Sequence, residues 1–125
     1  MEKLLIISLV TITTLLSPKP QNKYTIELLT SGKWFIEYII VEGQKLEFAP
    51  EIQERTWMLF HPKGKAEFMV EGRKGIGRWE FDKTSNILTT IKGVEIKEHQ
   101  VISIDYEKLV LQELGEEESI IGLRK

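Results

Sequence analysis

Two histidines, His61 and His99, are the only imidazoles in this 125-residue chain, which contains no cysteine. The absence of thiols removes disulfides, thiolate metal sites, thiol nucleophiles and a lipid-bearing cysteine. Neither histidine has a partner set at metal-ligand spacing, so no metal and no cofactor is expected. His61 precedes Pro62 and reads as a turn-flanking surface residue; His99, among Lys97, Glu98 and Gln100, reads the same way. Serines and aspartates are present, but no nucleophile elbow, H-E-x-x-H or P-loop organises them. Gly72-Arg73-Lys74-Gly75 has no following helix to cradle a phosphate and reads as a hairpin turn. Glu116 and Glu117 fall in a charged loop that suits solubility better than acid–base work. No catalytic constellation emerges, and the chain is not expected to be an enzyme.

Binding is the chemistry that the remaining residues permit. An inward set of Trp34, Ile36, Tyr38, Met58, Phe60, Phe68, Val70, Trp79, Phe81, Leu88, Ile102, Ile104, Leu109 and Leu111 would form an aromatic-rich interior, either packed solid or lining a cavity. The expected ligand-contacting residues are Tyr38, Phe60, Phe68, Val70, Trp79 and Ile102, with Glu98 and Gln100 as polar contacts near a rim. Segment 94–104 is anomalous. If Val94, Ile96, Ile102 and Ile104 all face inward, strict alternation turns Glu98 and Gln100 inward too, where an unpaired carboxylate is costly. A bulge that resets the register, or a wet position at the mouth, would relieve this. The opposite faces are also apolar, with Phe35, Ile39, Trp57 and Leu59 forming a candidate surface for a protein partner or a second copy.

The elements that must position these residues are strands. Segment 33–42 alternates, with Trp34, Ile36, Tyr38 and Ile40 on one face. An irregular crossing at 48–53 contains Pro50. Further strands are expected at 56–61, 65–71, 76–82, 87–92, 94–104, 109–113 and 119–125, separated by short Gly-, Pro- or Asn-bearing turns. Connections of about two to five residues make sequence neighbours sheet neighbours. One helical turn is expected at 24–29, just before the first strand. The reading is all-β: an eight-stranded antiparallel up-and-down barrel, since closure removes both exposed edges.

The N-terminus reads as a targeting segment. One lysine is followed by an apolar run at 4–16 and a stop at Ser17-Pro18-Lys19-Pro20. That run is shorter than the ~20 residues of a membrane-spanning helix, so no integral span is expected. Residues 1–21 are assigned to a signal peptide and 22–125 to the barrel, giving an exported, periplasmic or secreted product. Seventeen basic against nineteen acidic residues give a net charge of -2 and no footprint for nucleic acid.

Gly32-Lys33-Trp34 opens the first strand after a helical turn, and Arg124 is the penultimate residue of the last. With the eight-strand meander, this resembles the lipocalin pattern, in which G-x-W begins strand one and an arginine from the closing strand crosses the tryptophan ring. Segments 59–68, 77–82 and 104–111 are similar to the short lipocalin-like domains of exported proteins from Bacteroidetes-type bacteria. The resemblance spans residues 28–125. It implies that Gly32, Trp34 and Arg124 close the barrel and that the interior takes a small hydrophobic ligand. The chain lacks the long open-end loops of full lipocalins, which argues against a roomy cup. The alternative is a filled barrel acting as an interaction module through its apolar outer face.

Overall fold

A computed structural model of the chain describes residues 18–115 and 118–125. Helix α1 (Pro18–Leu29) leads into β1 (Trp34–Val41), β2 (Gln44–Glu47), the short helix α2 (Pro50–Glu54) and β3 (Trp57–Phe60). The chain continues through β4 (Lys65–Val70), β5 (Arg73–Asp82), β6 (Ile87–Lys92), β7 (Glu95–Ile104), β8 (Lys108–Glu113) and β9 (Ser119–Arg124). Every pairing is antiparallel, in the order β1-β3-β4-β5-β6-β7-β8-β9, and β9 returns to β1. Eight strands thus close into an up-and-down barrel. β2 is an appended ninth strand, paired with the second half of β1 where β3 no longer reaches.

Three segments depart from the alternation expected of them. The crossing at 48–53 folds as α2, with Pro50 in its first turn, where a missing N–H costs nothing. The expected turn at 72–75 is one hairpin step earlier, at Glu71–Gly72, so β5 is ten residues long and includes Gly75. Strand β1 carries a bulge at Glu37: Ile36 stands opposite Leu123, whereas Tyr38 stands opposite Gly122. Phe48 N–H caps the Glu37 carbonyl at 3.1 Å, and the Lys108 ammonium donates to its carboxylate at 3.0 Å. The extra residue flips the parity beyond it. Trp34 and Ile36 point in, Tyr38 and Ile40 point out, and Ile39 falls on the inner side with Ile121.

The two ends of the barrel differ. At the end where β1 begins, α1 lies across the opening and buries Thr25 and Leu29 beneath the strands. Trp34, fully buried, donates its indole N–H to the Leu29 carbonyl at 3.0 Å, tying helix to first strand. Phe60 and Trp79 meet edge to face with ring centres 5.6 Å apart, and the Trp79 indole donates to the His61 carbonyl at 2.7 Å. Leu88, Leu109, Leu111 and Leu123 complete this half of the core. The turns at 42–43, 71–72 and 93–94 and the Glu113–Ser119 end of the β8–β9 pair all lie at the opposite end. That end is the mouth, and the 71–72 hairpin belongs to it.

Candidate functional site

The upper half of the barrel is not filled. A cavity of about 290 Å³ opens there, bounded by β1, β3, β4, β6, β7, β8 and β9. That size is at the low end for a small-molecule pocket. Its wall has two chemistries. Ile36, Met58, Phe68, Val70, Ile121 and Leu123 form an apolar side; Thr90, Lys92, Glu95, Lys97, His99 and Glu113 form a polar one.

The polar side follows from the β6–β7 hairpin. Lys92 stands opposite Glu95 across Gly93–Val94, with glycine supplying the positive φ at the first turn position. Leu88 faces the core, so Thr90 and Lys92 follow it inward at period two. Their cross-strand partners Lys97 and Glu95 face the same way, as does His99 opposite Leu88. The register returns to an apolar inner face only at the second bulge, where Val101 opposes Leu111, Ser103 opposes Val110, and Ile102 is left over.

These parities relocate half of the expected contacts. Glu98, Gln100 and Ile102 lie outside the barrel; Gln100 donates to the Ser85 carbonyl at 2.8 Å, and Ile102 is 52% exposed as the bulged residue. Tyr38 is also outside, under the Lys45 ammonium at 4.4 Å from its ring centre. Phe60 and Trp79 are inside, but in the packed floor below the cavity. Phe68 and Val70 line the cavity, Val70 at the lip. Thr90, Lys97, His99 and Glu113 were missed. The signal available for them was the Lys92–Glu95 hairpin step counted from an inward Leu88.

His99 is a buried wall residue, not a surface one: it is 5% exposed, and its Nδ1 finds no hydrogen-bond partner among the described residues. Burial pushes its pKa below the ordinary imidazole value; the Glu113 carboxylate opposite works against this, Lys97 adds to the fall, and the Leu88 backbone carbonyl offsets part of it. Glu113 also accepts from the buried Ser119 hydroxyl at 3.4 Å and lies 3.9 Å from the Lys97 ammonium.

The floor motif is arranged differently from expectation. Arg124 stands opposite Phe35 in the β1–β9 register and therefore lies on the outer face, 5.4 Å from the Phe35 ring centre, donating to Gln53 Oε1 at 3.0 Å. Lys125, one residue on, passes beneath the barrel and sets its ammonium 4.3 Å from the Trp34 ring centre, bonded to the Ser31 hydroxyl. Gly32 turns the chain here with a φ of 149°, a conformation that favours glycine, and a Cβ there would meet the Lys125 Nζ only at an ordinary contact distance of 3.5 Å. Burial lowers the Lys125 pKa.

Outside, Phe35, Trp57 and Leu59 are half-buried, and the Lys33 ammonium covers the Trp57 ring at 4.2 Å; Ile39, expected on the same outer patch, lies instead on the inner side beyond the Glu37 bulge. His61 donates to Glu67 at 2.6 Å and Lys74 to the other oxygen at 3.1 Å, which together hold the Glu67 carboxyl at about 2. Among the described residues no three metal-ligating side chains converge, and no helix is long and apolar enough to cross a membrane. Of the segment read as a leader, residues 1–21, the first seventeen lie outside the described residues and 18–21 fall within α1. Compared with models of known protein families and with curated proteins, the chain matches none of them.

Proposed function

We propose that this protein is an exported, lipocalin-like binding module that holds one small, largely apolar molecule in the upper half of its barrel. The observation that carries the reading is the cavity of about 290 Å³ lined by Ile36, Met58, Phe68, Ile121 and Leu123 and open at one end. A barrel of eight strands can either fill with side chains or hold one small guest, and the space above Trp79 and Phe60 favours the guest. The alternative of a filled barrel working through its outer face draws less support, because Lys33 and Arg124 already cover two of the outer aromatic rings. Export rests on the apolar N-terminal run and its proline-marked exit.

An uncharged fluorescent probe such as N-phenyl-1-naphthylamine tests the reading. Binding is expected at micromolar Kd, about -8 kcal/mol. Ile121→Trp, which enlarges the cavity wall, should abolish it while leaving the circular dichroism spectrum unchanged. Val70→Trp is a weaker test, since Val70 is 49% exposed and a larger ring there can turn to solvent. Absence of probe binding to the unmodified protein would remove the binding reading. Fractionation of the native host, with the N-terminus of the mature protein sequenced, tests export.

A further inference from the structure

We propose that the guest is an amphipathic anion, a carboxylate on a compact apolar body, and that Lys92 is the residue that selects its sign. The inference rests on the barrel cavity being a binding site and adds the chemical class of its occupant.

The charges around the mouth are unevenly engaged. Glu95 and Glu113 share Lys97, at 3.8 Å and 3.9 Å, on the β7–β8 side. Lys92 is the direct cross-strand neighbour of Glu95, yet it turns the other way and pairs with no carboxylate among the described residues. It lies across β5 at Gly75, where a Cβ would stand 2.6 Å from its Cε and 2.9 Å from its Nζ. Gly75 is opposite Phe68, on the inner face of the barrel. The missing side chain at 75 therefore lets the lysine fold over the lip above the apolar wall. A cation so placed, solvated at the lip and engaged by no carboxylate among the described residues, complements an anion whose body rests on Phe68, Met58 and Ile36. Thr90, 8% exposed, and the neutral His99 ring lie next along the same wall and add polar contact without adding charge.

Three probes with one body separate the sign from the site: 2-naphthoate, 2-naphthamide and 2-naphthylmethylamine, titrated calorimetrically at pH 7.5 and low salt. The expected order is naphthoate tightest, about tenfold better than the amide, and the amine weakest. Lys92→Met should bring naphthoate down to the level of the amide, and raising the salt should narrow the same gap. Equal binding of naphthoate and amide would overturn the role of Lys92 while leaving the binding function standing. Tightest binding of the amine would overturn it too, by showing that Glu95 and Glu113 set the sign. Failure of all three probes would sink the cavity reading itself, and the anion proposal with it.

Discussion

His99 makes the cavity wall sensitive to acid. Its folded-state pKa is depressed by burial, so the unfolded chain binds a proton there more readily than the native one. The resulting contribution to stability is complete above pH of about 6.5, the ordinary value, and is lost as the pH falls from there through the depressed folded-state value. Glu67 is depressed as well, from 4.5 to about 2, so its contribution persists above 4.5 and drains away as the pH falls towards 2. Urea titrations from pH 8 to pH 3 should therefore show two successive losses. His99→Phe should flatten the upper one alone, and Glu67→Gln should reduce the lower one, to which Asp82 and Asp105, held below their ordinary value by backbone hydrogen bonds, also contribute. At the floor, Lys125→Met should cost about 0.5–1 kcal/mol and shift the emission of Trp34, because it removes a cation from the indole face. Arg124→Ala should leave that emission unmoved. The G-x-W resemblance singles out a cation from the last strand for Trp34. Which of two adjacent cations reaches the ring depends on the β1–β9 register, and a parity one residue out exchanges Arg124 for Lys125.

Two bulges decide what each strand shows to the cavity. Most element positions were legible from period-two alternation and turn residues, and so was barrel closure. The site was less legible because alternation is strict only between bulges. One extra residue at Glu37 turned Tyr38 out, and the leftover Ile102 marks where the polar run of β7 gives way to the apolar one. The apolar Val94 and Ile96 misled for a related reason: they are 102% and 65% exposed, so their hydrophobicity says nothing about the inner face. Strand β2 was hidden by its own exposure, all four residues being solvent-facing. At the hairpins, Glu71 has a φ of 48° ahead of Gly72, a left-handed conformation that a residue with a Cβ adopts at a cost. Glu71→Asn gives that turn the Asn-Gly pair its geometry prefers and should stabilise the protein by about 0.5–1 kcal/mol in chemical denaturation.

The whole molecule is a filled floor beneath a hollow upper half, with no disulfide to fasten it. Trp34 is where helix, first strand and chain end converge, so Trp34→Ala should cost about 3–5 kcal/mol and threaten folding altogether. The barrel wall is uneven around its circumference. Six partnered positions join β1 to β9, but only Trp34–Met58 and Phe35–Trp57 join β1 to β3, because β2 takes over the rest of that edge. Thr56 and Met58 line the cavity beside that short seam. The closed circle is thus fastened most weakly where the hollow lies behind it. Brief parting of β1 from β3 would open a lateral port to a guest without disturbing the hairpins at the rim. Amide exchange should consequently be faster at Ile36 and Met58 than along β4 to β8. A disulfide between cysteines introduced at the facing positions 35 and 57 should slow the arrival and the departure of a bound probe together, leaving its equilibrium affinity nearly unchanged.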